Sequence, residues 1–219
     1  WFQGEVSRAE RDLAARPAEL AGRATAALCG AFVLALAGVL AARDPLTFLT
    51  CWELMTLVPA AIILIGRHDE AARRTTFVYV SITHLGGAGT WIAILLLADA
   101  GALDGDTIIA EGSALQIAVA LAAIVGFGTK AGVMPLHAWL PRAHPIAPAP
   151  VSALMSGVMV KVALYGPVRV LVEWIGPAPL WIGSLVVALG AASAVGGILY
   201  ALFQDELKRT LGIESKIRV

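Results

Sequence analysis

Four ionisable side chains lie deep inside apolar runs of this sequence: Glu53, His84, Lys130 and Lys161. A charged side chain at the centre of a membrane helix costs roughly 2.5–3.5 kcal/mol on insertion scales, so each needs a reason. Such groups face a protein interior or a hydrated cavity, and they mark ion pathways and proton relays. Lys161 sits about ten residues into its run, roughly 15 Å from either end at ~1.5 Å per residue, too deep to snorkel to the interface. An unperturbed lysine has a pKa of about 10.4 and rarely gives up its proton at neutral pH. A medium like oil favours the neutral amine, as does a second cation, whereas a carboxylate nearby favours the ammonium. Movement of Glu53 toward or away from Lys130, with Lys161 as the second cation, is then a charge switch that couples conformation to proton movement. The plainer alternative is a buried Glu–Lys pair that fixes helix packing. His84 fits a hydrogen-bonded packing role as well as a relay role.

Lys130 has the most informative surroundings, Gly126-Phe127-Gly128-Thr129-Lys130-Ala131-Gly132-Val133-Met134-Pro135. Gly126, Gly128 and Gly132 loosen a helix. Pro135 lacks a backbone donor, and its ring displaces the carbonyl of Ala131 beside the lysine. Backbone opened at membrane depth is tolerated only where a cavity or protein groups satisfy it, as in the discontinuous helices of transporters. The run is not a phosphate loop, because both the spacing and the strand–helix context of that motif fail. His137 and His144 lack a third ligand for a metal site. Cys29 and Cys51 stand apart from any His or second Cys, without the spacing of a zinc, iron–sulfur or disulfide framework. No cofactor is expected.

The elements that carry these residues follow from composition. The chain of 219 residues is 58% hydrophobic and 15% charged, with a mean hydropathy of +0.80. A soluble domain carries roughly 25% charged residues, so this is an all-α polytopic membrane protein. Its formal net charge of zero gives no argument for nucleic acid. Six apolar runs read as spans: 24–42, 46–66, 76–98, 114–140, 151–172 and 180–203. The fourth is overlong, which predicts two half-helices joined at Lys130. Residues 1–23 read as an amphiphilic leader with Asp12/Arg16 and Glu19/Arg23 at helical i,i+4 spacing. Residues 204–219 read as a tail, truncated relative to a longer chain. The leader, the 67–75 loop, the 141–150 loop and the tail hold twelve basic residues, against Arg43 and Arg169 on the other side. That bias places both ends in the cytoplasm. Arg169 and Glu173, beside Trp174 and Trp181, read as interface anchors. Glycines 86, 87 and 89, and the small residues 190–197, read as helix-packing positions. Pro59 and Pro167 predict mild kinks.

The stretch from Lys130 through Pro145, continuing from Ala147 to Lys161, resembles the antiporter-like proton-conducting subunits of respiratory complexes. That family includes the large membrane-arm subunits of NADH–quinone oxidoreductase, the multisubunit cation/proton antiporters and the membrane subunits of energy-converting hydrogenases. Trp52-Glu53-Leu54-Met55 is similar to the family's glutamate helix, and Asp205-Glu206-Leu207-Lys208-Arg209 to the loop after the sixth span. Ser156-Gly157-Val158-Met159-Val160-Lys161 and Thr83-His84-Leu85-Gly86 resemble the hydrogenase-4 and formate hydrogenlyase type, with the subunit M type also close. The resemblance implies a partial antiporter-like fold, the first inverted repeat plus one helix. Glu53 is then the charge-pairing carboxylate, Lys130 the proton-carrying lysine of the broken helix, and Lys161 the lysine passing protons along a central axis. It further implies other membrane-arm subunits as partners, a multi-pass location in the cell inner membrane, and proton translocation driven by a redox complex, without a redox centre in this chain. Two alternatives use the same residues or none: a component of a multisubunit Na⁺(K⁺)/H⁺ antiporter, and a non-transporting membrane scaffold.

Overall fold

The computed structural model describes residues 2–103 and 107–202, all-helical apart from turns and loops, with no strand among the described residues. The helices are α1 Phe2–Ala41, α2 Pro45–Gly66, α3 Glu70–Asp99, α4 Ala114–Ala131, α5 Leu140–Ile146, α6 Ala149–Leu154, α7 Val160–Val168 and α8 Leu180–Leu202. A 3-10 turn at Leu136–Trp139 leads into α5, and π-helical turns at Met155–Met159 and Arg169–Trp174 extend α6 and α7 as one span. Among the described residues, six segments are long and apolar enough to cross a membrane: Glu19–Ala41, Pro45–Gly66, Glu70–Asp99, Ala114–Ile146, Ala149–Trp174 and Leu180–Tyr200. This is an all-α, multi-pass membrane protein.

The leader at 1–23 is not a separate element, because α1 runs unbroken through it. At ~1.5 Å per residue such a helix is roughly 60 Å long, about twice the hydrocarbon core, so it extends well beyond a bilayer. Glu19 and Arg23 pair at 2.9 Å, as their spacing predicts. The Asp12/Arg16 pair, Asp104, Asp106 and the tail at 204–219 lie outside the described side chains and residues.

Local chemistry sets the helix starts. Asp44 caps α2 through the Thr47 N–H at 2.8 Å, with Pro45 pre-set for the first turn. Asp69 caps α3 through the Ala72 N–H at 2.7 Å. That bond, with Arg67 beside it, holds the Asp69 carboxyl below the usual carboxylate range. Pro59 sits within an uninterrupted α2, whereas Pro167 lies in α7 just ahead of the second π-helical turn.

Helices α3 and α4 approach closely along small residues. A Cβ placed on Gly89 would stand 2.6 Å from the Ala122 carbonyl oxygen, and one on Gly126 would run into the backbone of Thr90. Gly86 faces Thr129 in the same seam. Gly126 and Gly128 therefore lie inside regular helix, and Gly126 serves close packing rather than loosening. On its other side α4 meets α7, where Phe127 lies against Gly166. Phe127 also joins Phe48 and Trp52 in an aromatic cluster with ring centroids 5.0–6.2 Å apart. This core fixes α2, α4 and α7 around Lys130.

Gly126→Ala should destabilise the folded protein by about 1–3 kcal/mol through overpacking of the α3–α4 seam. Gly30→Ala, where a Cβ meets nothing within 4 Å, should not. Thermal unfolding of the two purified variants checks the difference.

Candidate functional site

The break in the fourth span falls immediately after Lys130. Lys130 occupies the last turn of α4, where the carbonyl end of the helix favours a cation. Gly132, at φ 74°, takes the left-handed conformation that ends the helix. The Val133 N–H bonds the Gly128 carbonyl at 2.9 Å and the Gly132 N–H bonds that of Thr129 at 3.2 Å. Pro135 lies beyond this stop, so Gly132 makes the break and Pro135 belongs to the connection. The opened backbone finds side-chain partners. The Trp139 indole N–H donates to the Thr129 carbonyl at 2.8 Å, and the Met134 N–H donates to Ser193 Oγ of α8 at 2.9 Å. Irregular backbone at membrane depth requires such internal partners.

Lys130 itself is 1% exposed. Its Nζ donates to the Trp52 carbonyl of α2 at 2.5 Å and lies 4.1 Å from the centroid of the Trp52 ring. The amine is thus held by a carbonyl dipole and an aromatic face, both of which suit a cation. Glu53 is the next residue along α2.

Glu53 in turn accepts two bonds from α3. Trp91 Nε1 donates to Oε1 at 3.0 Å, and His84 Nε2 lies 3.0 Å from Oε2. His84, Gly87 and Trp91 recur at helical i, i+3, i+7 spacing and share one face of α3. His84 Nδ1 lies 3.0 Å from the Val80 carbonyl oxygen, which can only accept, so Nδ1 carries a hydrogen. A proton between Nε2 and Oε2 would make the two groups a hydrogen-bonded dyad, charged on the ring only when the imidazole is protonated. With side-chain exposures of 40% for His84 and 21% for Glu53, the dyad sits at the edge of the helix group rather than in its centre.

Lys161 stands apart. It is exposed on α7, and its Nζ donates to the Ser156 carbonyl in the adjacent π-helical turn at 2.8 Å. The expectation that its depth encloses it is corrected: depth along a span does not say which flank a side chain occupies. Arg169, by contrast, pairs with Glu173 at 2.8 Å and lies 4.9 Å from the Trp174 ring centroid. His144 bonds Ser152 Oγ at 3.0 Å.

A family model described as "NADH:quinone oxidoreductase/Mrp antiporter, TM" matches residues 42–215. The chain belongs to this family. It is 42% identical over 193 residues to an uncharacterized protein of Mycobacterium tuberculosis, covering 87% of this chain and 30% of that one. It is 40% identical over 185 residues to hydrogenase-4 component B of Escherichia coli, covering 82% of this chain and 27% of that one. Among solved structures it is similar to respiratory complex I from Thermus thermophilus, with a TM-score of 0.66 and 27% identity over 83% of this chain and 40% of that one. The chain therefore spans about a third of the length of the curated relatives it matches. The fold is that of part of an antiporter-like subunit of such complexes.

Several contributors to the site were absent from the sequence reading in these roles. Trp52, Trp91, Trp139 and Ser193 bind or support it, and of these only Trp91 carried a usable signal, its spacing from His84 along α3. His84 and Trp91 each supply one of the bonds to the Glu53 carboxylate. Its infrared bands, assigned by difference with Glu53→Gln, should therefore shift in both His84→Ala and Trp91→Phe. Lys161→Met should leave them in place.

Proposed function

We propose that this chain is part of a proton-translocating, antiporter-like subunit in the membrane arm of a redox-driven complex, of the NADH–quinone oxidoreductase or hydrogenase-4 type. The observation that carries this reading is a fully buried lysine at a helix break, held by Trp52 beside a glutamate whose carboxyl lies 3.0 Å from His84 Nε2. A packing pair does not call for a lysine at the one place where the span is interrupted, nor for a second titratable partner behind the carboxylate.

In the proposed cycle Lys130 carries the proton. With the Glu53–His84 proton on the histidine, Glu53 is anionic and favours the ammonium form of Lys130. Transfer of that proton to the carboxyl neutralises Glu53, and the buried amine then releases its own proton, which passes toward Lys161 on the flank of α7. The Gly126, Gly128, Gly132 and Pro135 stretch supplies the packing and the stop that fix Lys130 at this point. The energy comes from a partner complex, with this chain serving transport and other membrane-arm subunits supplying the redox chemistry. The name of the Escherichia coli relative and the Thermus thermophilus complex I structure support that partnership. We place both ends of the described segment on the cytoplasmic side of the cell inner membrane, on the strength of the basic-residue bias.

A second reading, a component of a multisubunit Na⁺(K⁺)/H⁺ antiporter, is favoured by the Mrp antiporter named in the family description. It uses the same residues and dispenses with electron transfer.

Lys130→Met in the full parent complex should lower proton pumping by more than about tenfold, the loss of a group that acts in every turnover. Unchanged pumping would leave the scaffold alternative in its place. Glu53→Gln should slow pumping while the complex still assembles, as checked by native gel and by proton uptake into vesicles. Pumping at the parental rate in that variant would contradict the charge switch. Pumping that requires Na⁺ or K⁺ and no electron donor selects the antiporter reading.

A further inference from the structure

Beside the turn from α1 into α2 the structure holds a cleft of about 630 Å³, the size of a small-molecule site. It is bounded by the end of α1, the start of α2, the end of α3 with Leu103 beyond it, and the π-helical turn that closes the fifth span. Four apolar segments begin or end at this level, so the cleft lies where membrane hydrocarbon gives way to headgroups. Leu40, Phe48 and Ile94 line its apolar part, whereas Arg43, Asp44 and Arg169 bring charge to it.

The two arginines differ. Arg169 is engaged within its own span, with its Nε 2.8 Å from Glu173 and its guanidinium donating to the Tyr165 hydroxyl at 3.0 Å. Arg43 is exposed and, among the described residues, has no hydrogen bond or ion pair. Its neighbour Asp44 accepts the Thr47 N–H at 2.8 Å. Bonds from the side chain and backbone of Thr47 hold the Asp44 carboxyl below the usual carboxylate range, so it is an anion at neutral pH. A carboxylate accepts at about four positions, and the helix cap leaves room for a further donor. Arg169 is balanced by Glu173 and Arg43 by Asp44, so these charges leave the cleft neutral. A cation and a carboxylate side by side above an apolar wall match a zwitterion with an apolar body better than a simple anion.

We propose that this cleft binds a phospholipid whose headgroup carries a primary amine, with the phosphate at Arg43, the ammonium at Asp44 and the first chain carbons along Leu40 and Phe48. The arginine fork suits a phosphate, and an ammonium gives the carboxylate a charge-assisted hydrogen bond. Phe48 stacks on Trp52 with ring centroids 6.0 Å apart, so the bound lipid backs the aromatic cluster beside Lys130. The site does not rest on the proposed transport function.

A photoactivatable phosphatidylethanolamine added to the delipidated parent complex tests it, with crosslinks mapped by peptide mass spectrometry. The lipid should label the α1–α2 turn and Trp174. Unlabelled phosphatidylethanolamine should compete about fivefold better than phosphatidylglycerol, the scale of one exposed charge pair, and inorganic phosphate should not compete. Arg43→Gln should lower the labelling by a similar factor. Asp44→Asn keeps a good helix cap and removes the charge, so phosphatidylglycerol should then compete at least as well as phosphatidylethanolamine. That gain cannot come from misfolding. Unchanged labelling in Arg43→Gln, equal competition by the two lipids in the parent, an unaltered preference in Asp44→Asn, or displacement by inorganic phosphate would overturn the proposal.

Discussion

An amine that can carry charge is enclosed where neither lipid nor bulk water can solvate it, and the rest of the structure answers to that constraint. Lys130 meets it with a carbonyl from the neighbouring helix at 2.5 Å and an indole face at 4.1 Å. Neither partner carries a formal charge, so the cradle accommodates the ammonium without locking it into a tight ion pair. The carboxyl group sits one residue further along α2, on Glu53, bonded to Trp91 and against His84 of α3. Separating the cradle from the counter-charge is what lets the protonation of the lysine respond to the state of its neighbour.

Placing a lysine at the end of a half-helix exposes backbone groups that oil cannot satisfy. Gly132 closes the helix in the left-handed conformation, while Trp139 takes the Thr129 carbonyl and Ser193 of α8 takes the Met134 N–H. Helix α8 is otherwise largely exposed, and Met134 at the break lies against its Gly196. The interruption is thus also a joint between the fourth and sixth spans. The α3–α4 seam, built on Gly86, Gly89 and Gly126, brings the helix that bears His84 and Trp91 close to the one that bears Lys130.

Much of this was legible in one dimension, for a physical reason. A charged residue inside an apolar run is costly enough to stand out alone, which is how Glu53 and Lys130 declared themselves, and an overlong span rich in glycine located the break. Of the residues read as opening the helix, Gly132 is the one that ends it. Pro135 is the more conspicuous helix breaker, yet the chain had already stopped at Gly132, whose left-handed φ only the three-dimensional path reveals. His84 offered no partner in sequence because its partner lies on another helix. Lys161 looked enclosed because depth was readable and orientation was not. Trp139 and Ser193 became meaningful only once the opened carbonyl and N–H needed them, and those needs arise from tertiary structure.

The central claim is that Lys130 changes charge in response to Glu53, and the charge of its amine can be observed directly. Lysine-selective ¹⁵N solid-state NMR of the parent complex in bilayers, with the Lys130 signal assigned by its loss in Lys130→Met, separates ammonium from amine. The account predicts both forms at Lys130, in a ratio that changes in Glu53→Gln. A single ammonium signal, the same with and without the Glu53 carboxylate, would contradict it.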